Sequence, residues 1–174
     1  ATIRLHRYDR TLYINAFNDT IREIFPDLYR RLDVTELVVG NILPNSHFRD
    51  WDVSTVPDKW TLSNVTAAAT TTAGLYWGGA KSAKVTASAG NGYLACTSDT
   101  IPRLLDLMDT EVSAYVWAYP EDANDATIVI YTKKADGTAQ TLTSTTTCPA
   151  GEWTLLKLED QKLNDDLVDV QVRL

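Results

Sequence analysis

Cysteine and histidine are scarce in this chain, and their scarcity excludes several kinds of metal site. The 174 residues contain two cysteines, two histidines and one methionine. Cys96 and Cys148 stand far apart and form no CxxC motif, so they cannot build a structural zinc site. They are expected to be two buried thiols, with a disulfide between them as the alternative.

Motifs typical of enzymes are absent as well. His6 and His47 lie in different parts of the chain, and no Gly-x-Ser-x-Gly, Gly-rich phosphate loop or His-Glu-x-x-His occurs. Carboxylates cluster in "EDANDA" and "NDDLVDV", but acidic runs of this kind are usually solvated turns. We therefore predict that the protein is not an enzyme, has no catalytic residues, and uses His47 structurally.

No apolar run is long enough to cross a bilayer, and basic residues are in the minority. Lys and Arg number 16 against 23 Asp and Glu, so the formal net charge is −7. An acidic chain repels phosphate backbones and anionic membrane surfaces, so neither nucleic acid nor membrane insertion is expected. With 44% hydrophobic residues, the chain can bury a core without needing a disulfide.

The character of the sequence changes near Gly40. In residues 1–40, apolar side chains beyond Asn18 recur at three- and four-residue steps, which predicts one or two short helices interrupted at Pro26. So short an amphipathic segment is not stable alone, so we predict an anchoring arm that packs on another subunit or another protein. The side chains expected to make that contact are Ile21, Phe25, Leu28, Tyr29 and Leu32.

Residues 41–174 read as a series of short strands bounded by Gly, Pro, Asn and Asp. This spacing predicts an all-β sandwich or barrel. Asp136-Gly137 is a hairpin signal between "TIVIYTKK" and "AQTLTSTTT". The Thr-rich tracts are interpreted as exposed strand faces, and "IPRLLDLMDT" as a loop.

One predicted strand, "EVSAYVWAYP", alternates strictly between two kinds of side chain. Small and branched residues fall on one face, and aromatic residues fall on the other. The first set is Val112, Ala114, Val116 and Ala118. The second set includes Tyr115, Trp117 and Tyr119.

The order of motifs resembles a known family. "NILPNSHFRDW" is followed by "VPDKWTLS", "AKSAKVTASAGNGYLA", "LLDLMDTEVSAYVWAYP", "ATIVIYTKKADGT", "AGEWTLLKLED" and "VDVQVRL". This series resembles the carbohydrate-binding-module type of galactose-binding-like jelly roll, in the form found in bacteriophage tail, fibre and head-decoration proteins. The resemblance implies an antiparallel two-sheet jelly roll that begins with a strand at Asn41, and the residues Asn41 to Asn45 fit a strand start followed by a Pro-Asn turn. It also implies that Phe48, Trp60, Val116 and Trp153 are largely buried.

Two departures from the family pattern affect cofactors. Ser46 stands where the family usually has Gly, and Arg49 stands where it has an acidic residue that often helps to hold a structural calcium. Asp50 and Asp52 are the remaining carboxylates nearby, and no cofactor or metal ligand is predicted. The family also ends with one more strand than "VQVRL" supplies. Either the sequence continues beyond Leu174 or another chain completes the sheet.

Binding is the function that the sequence favours, because flat aromatic side chains stack on the apolar faces of sugar rings. Two aromatics lie in the Gly-flanked loop "AGLYWGGA" and three lie on one strand face. The candidate ligand-binding residues are Tyr76, Trp77, Tyr115, Trp117 and Tyr119. Trp117 has a competing interpretation as a core residue, and Tyr76 and Trp77 have one as a cap on the sandwich edge.

The resemblance implies a non-catalytic virion structural protein in an extracellular particle. Its arm would contact other virion proteins or copies of itself, and its jelly roll would attach weakly to a cell-surface or extracellular glycan. A purely structural role, in which the jelly roll binds only its neighbours, is a second possibility. The alternative is a carbohydrate-binding module of a secreted bacterial glycoside hydrolase.

Overall fold

A computed structural model describes residues 41–76, 79–88, 90 and 92–174. Ile42–Leu174 form one compact unit. The predicted arm, residues 1–40, lies outside the described residues together with its proposed contact residues, so the arm and its partners stay predictions. Among the described residues, no helix has the length and apolar character needed to cross a membrane.

Within the described part of the chain the structure is mostly β, with nine strands and one 3₁₀ helix, Pro102–Leu107. The strands are β1 Thr61–Ser63, β2 Val65–Thr70, β3 Ser82–Ala87, β4 Tyr93–Thr97, β5 Glu111–Ala118, β6 Val129–Lys134, β7 Ala139–Thr143, β8 Thr154–Lys162 and β9 Leu167–Arg173. Each strand pair is antiparallel. A five-stranded sheet has the order β1-β4-β9-β6-β7, and β2-β3 and β5-β8 form two ribbons. For the described residues, the prediction of a mostly β structure with antiparallel sheets is confirmed.

The predicted hairpin at Asp136-Gly137 is present and joins β6 to β7. The amide of Gly137 donates to the carbonyl of Lys134 at 3.0 Å, and Gly137 has a φ of 90°. Only glycine adopts that backbone conformation without a steric cost. The Asp136 carboxylate accepts a hydrogen bond from the Thr138 amide at 2.8 Å, which holds the turn from its other side.

One hydrophobic cluster joins the five-stranded sheet to the β5–β8 ribbon. Leu94 and Val170 come from the sheet, and Leu156 and Leu158 come from β8. The residues of β5 that pack against this cluster are Val112, Ala114, Val116 and Ala118. Burying a large apolar side chain contributes roughly 1.5–3 kcal/mol, so this shared cluster is what holds the ribbon to the sheet.

The strand expected to begin at Asn41 is not formed, but the Pro-Asn turn expected after it is present and is centred on Asn45. The side-chain oxygen of Asn45 accepts hydrogen bonds from the amides of Arg49 and Asp50, at 2.9 and 3.1 Å. Its side-chain nitrogen donates to the carbonyls of Asp50 and Asp58, at 2.8 and 3.2 Å. Four bonds from one amide side chain satisfy backbone groups that a strand would have paired with a neighbour.

Trp60 packs beneath this turn. It is buried, its indole N–H donates to the carbonyl of Pro44 at 3.2 Å, and its ring centroid lies 5.1 Å from that of Phe48. Phe48 is only half-buried, and it has a φ of 50°. Trp60 is buried as expected, while Phe48, Val116 and Trp153 are partly buried, and Phe48 and Val116 pack against the hydrophobic cluster.

Two further local predictions need correction. "IPRLLDLMDT" contains a 3₁₀ helix rather than a loop alone, and it starts at Pro102, where a missing amide hydrogen costs nothing. The strand predicted through Thr147 ends at Thr143. Ser144 is buried, its hydroxyl accepts a hydrogen bond from the amide of Ile128 at 3.1 Å, and its own amide donates to the carbonyl of Ile128 at 2.9 Å.

We expect Trp60→Ala to destabilise the protein by roughly 3–5 kcal/mol, because it leaves a cavity in the cluster and removes the bond to Pro44. Urea denaturation followed by circular dichroism measures the change in the free energy of unfolding. Val53→Ala is the control, since Val53 is 59% exposed, and it should change that free energy by less than about 0.5 kcal/mol. Equal effects of the two variants would contradict the packing described.

Cys96 and Cys148 are both free and both buried in the hydrophobic cluster. Of the two possibilities left open by the sequence, two free thiols or a disulfide, the structure shows two free thiols. Burial raises the pKa of the Cys96 thiol to about 11, so the reactive thiolate is rare at neutral pH.

The native protein should therefore react with a thiol reagent such as DTNB only as fast as it unfolds. In denaturant, both thiols should react within the mixing time of the assay. A thiol count near zero after denaturation without reductant would reveal a disulfide and would contradict the structure. Rapid reaction of the native protein would show that the cluster is open to solvent.

Candidate functional site

Three exposed aromatic side chains lie along β5 and at the residue directly after it. Tyr115, Trp117 and Tyr119 are 53%, 40% and 41% exposed. The alternation predicted from the sequence is confirmed, because the intervening residues of β5 pack against the hydrophobic cluster. The interpretation of Trp117 as a core residue is wrong, since a side chain at an odd position of this strand points away from that cluster.

Strand β8 adds a fourth aromatic residue to this surface. Trp117 pairs with Leu155 and Tyr115 pairs with Lys157, so the odd-numbered residues of β8 share the face of the β5 aromatics. Trp153 precedes β8 by one residue, and its ring centroid lies 5.6 Å from that of Tyr119 in a tilted arrangement.

We call the surface formed by Tyr115, Trp117, Tyr119 and Trp153 the aromatic face. Alternate residues along a strand are roughly 6–7 Å apart, so Tyr115 and Tyr119 are separated by about 13 Å. The aromatic face is therefore longer than a single sugar ring. Tilted aromatic pairs such as Tyr119 and Trp153 are a favourable geometry, so this end of the face is held by its own side chains.

Trp153 also connects the aromatic face to the loop before β3. Its indole N–H donates to the carbonyl of Gly74 at 2.9 Å. Gly74 has a φ of 86°, and the amide of Leu75 donates to the carbonyl of Thr72 at 3.0 Å, so the chain turns tightly at this point. Tyr76, a predicted ligand-binding residue, follows directly and is half-buried.

The structure thus anchors the loop of Tyr76 at one end of the aromatic face. Trp77 lies outside the described residues, so its role stays a prediction. Sequence reasoning missed Trp153 as a site residue because the family resemblance implied that it was buried. The signal available in the sequence was the position of Trp153 in the alternation that continues through β8, because Trp153, Leu155 and Lys157 alternate with Leu156 and Leu158 of the core.

The opposite end of the aromatic face is polar. The hydroxyl of Tyr115 donates to a carboxylate oxygen of Glu159 at 3.1 Å, and the ammonium of Lys157 lies 3.9 Å from the same oxygen. The hydrogen bond to Glu159 is the main reason that the pKa of Tyr115 is raised, and the charges of Glu159 and Asp160 raise it further. Tyr115 therefore keeps its proton at neutral pH and serves as a hydrogen-bond donor.

The carboxylates singled out in the sequence lie elsewhere. Glu121, Asp122 and Asp125 are exposed between β5 and β6. Asp165 follows β8 and forms an ion pair of 2.6 Å with Lys134, which lowers the pKa of the carboxyl. His47 is exposed.

Asp50 and Asp52, the carboxylates considered for a calcium site, bond within the opening turn through their backbone groups. The carbonyl of Asp50 accepts from Asn45, and the amide of Asp52 donates to the Asp58 carboxylate at 2.6 Å. Arg49 reaches the neighbourhood of Gly79, so its cation lies against a different loop. Within the described part of the chain, no group of three or more His, Cys, Asp or Glu side chains is arranged to hold a metal.

Comparison with family models, curated proteins and solved structures found no match to this chain.

The hydrogen bond from Trp153 to Gly74 yields a direct test of how the loop is anchored. In Trp153→Phe the ring still packs on Tyr119, but the donor is lost, and one hydrogen bond is worth about 0.5–1.5 kcal/mol. We expect the amide of Leu75 to exchange with deuterium about three- to tenfold faster than in the unsubstituted protein.

Trp51→Phe is the matched control for that experiment. The indole of Trp51 donates to the carbonyl of Phe48 at 2.7 Å, so the substitution removes an equivalent bond in another loop. It should leave exchange at Leu75 unchanged. Equal exchange at Leu75 in all three proteins would show that Trp153 does not hold this loop.

Proposed function

We propose that the protein is a non-catalytic glycan-binding module, and that the aromatic face is its binding surface. The observation that carries this proposal is the set of three large aromatic side chains exposed on one strand and extended by Trp153. Exposed aromatic surface is costly in water unless a ligand or partner covers it. A row of flat rings with polar groups at its end suits a chain of sugars, which has apolar ring faces and hydroxyl edges.

The finer fold is part of the same proposal. An antiparallel two-sheet jelly roll would accommodate the five-stranded sheet and place the β5–β8 ribbon in the opposite sheet. The shared hydrophobic cluster supports this arrangement, because it lies between residues of the sheet and the inner face of the ribbon. The aromatic face would then be the outer surface of the second sheet.

The biological context that we propose for the module comes from the sequence resemblance. We propose a virion structural protein of the tail, fibre or head-decoration type, with residues 1–40 as the arm that contacts other virion proteins or further copies of the chain. The alternative is a carbohydrate-binding module of a secreted glycoside hydrolase. The complete reading frame distinguishes them, because a catalytic domain in the same frame supports the hydrolase and neighbouring capsid or fibre genes support the virion.

Trp117→Ala tests the proposed binding surface. Since a shallow stacking site binds with millimolar to micromolar affinity, loss of the central ring should weaken glycan binding at least about tenfold. Glycan-array screening followed by isothermal titration calorimetry measures this. The thermal midpoint should fall only slightly, because the side chain is 40% exposed. A combined Tyr76→Ala and Trp77→Ala variant should weaken binding as well.

Tyr93→Ala is the matched control, because it removes an aromatic ring from the five-stranded sheet, where it stacks on Arg173 at 4.5 Å. Glycan affinity should be unchanged in that variant. An array on which the unsubstituted protein binds nothing would overturn the proposed function. Equal losses of affinity in Trp117→Ala and Tyr93→Ala would show that the aromatic face is not the binding surface.

A further inference from the structure

The polar end of the aromatic face is built around an irregularity in the β5–β8 ribbon. Val112 pairs with Gln161 and Ala114 pairs with Leu158, so Glu159 and Asp160 together oppose the single residue Ser113. This is a β-bulge, a feature that is over-represented next to functional sites because it redirects a side chain.

The bulge is held in place by specific contacts. The amide of Asp160 donates to the hydroxyl of Ser113 at 3.0 Å, and Asp160 has a φ of 53°, a conformation that few residues other than glycine adopt. One extra residue in β8 thus sets two consecutive carboxylates at the end of the row that begins with Trp153.

These carboxylates place negative charge at one end of the aromatic face. Glu159 accepts a hydrogen bond from the Tyr115 hydroxyl, and the charges of both carboxylates raise the pKa of that hydroxyl. Lys157 supplies one positive charge beside these two negative charges. Its ammonium lies 3.9 Å from Glu159, which is long for an ion pair. The local charge is therefore negative, as is that of the whole chain.

We propose that Glu159 is a specificity-determining residue that restricts the aromatic face to uncharged glycans. This inference rests on the proposed function and adds the class of ligand. A carboxylate can only accept hydrogen bonds, so it favours sugar hydroxyls and repels the carboxylate or sulfate groups of acidic sugars. Both Glu159 and Lys157 side chains are about half exposed, so the repulsion is a screened surface effect of modest size.

The test is a glycan array in which neutral oligosaccharides are paired with uronic-acid and sulfated counterparts of equal length. The unsubstituted protein should bind neutral members and discriminate against acidic ones. In Glu159→Gln the side chain keeps its shape and can still accept a hydrogen bond from the Tyr115 hydroxyl. Acidic oligosaccharides should then bind about three- to tenfold more tightly, while affinity for neutral ones changes less than about twofold.

Two controls separate electrostatic selection from a structural effect. Asp99→Asn removes the same charge from an exposed turn after β4, and it should leave the ratio of acidic to neutral affinity unchanged. The gain in Glu159→Gln should also shrink in 0.5 M salt, where the screening length is only a few ångströms.

The outcomes are distinguishable. A preference of the unsubstituted protein for acidic glycans, or an unchanged affinity ratio in Glu159→Gln, would overturn this inference and leave the glycan-binding module standing. An array with no bound glycan, neutral or acidic, would overturn both proposals.

Discussion

The burial of one face of β5 and β8 against the five-stranded sheet is the constraint on which the candidate site depends. Leu156 and Leu158 enter the same cluster as Leu94 and Val170. Because side chains alternate along a strand, burying these residues forces their neighbours to the opposite side. Tyr115 and Trp117 are exposed for that reason, and a shift of one residue in register would exchange the two faces completely.

The two ends of the aromatic face are stabilised by different interactions. At one end, the indole of Trp153 packs on Tyr119 and donates to Gly74, so an aromatic contact and a hydrogen bond hold the loop of Tyr76. At the other end, the bulge at Asp160 and the bond from Tyr115 to Glu159 produce a charged boundary. The surface between them is aromatic and exposed.

The opening turn shows why a polar segment can surround buried aromatics. Asn45 satisfies four backbone groups with its one side chain, so the backbone needs no neighbouring strand at this point. Trp60 then packs beneath the turn and bonds to Pro44. The Asn, Pro and Ser residues of this stretch are explained by turn geometry, and the aromatics are explained by the core that the turn covers.

The antiparallel β-structure, the hairpin at Gly137 and the two faces of β5 could be predicted from the sequence, because each depends on neighbouring residues and on a period of two. The face on which Trp153 lies follows from the same alternation, but its bond to Gly74 could not be predicted, since the two residues are 79 apart and only the folded chain brings them together. The same holds for Tyr115 and Glu159, which are 44 residues apart. The bulge appears in β8 as two consecutive exposed carboxylates, Glu159 and Asp160, but only the strand pairing shows that they oppose Ser113. Local periodicity determined which side chains face water, and tertiary pairing decided which of them lie together.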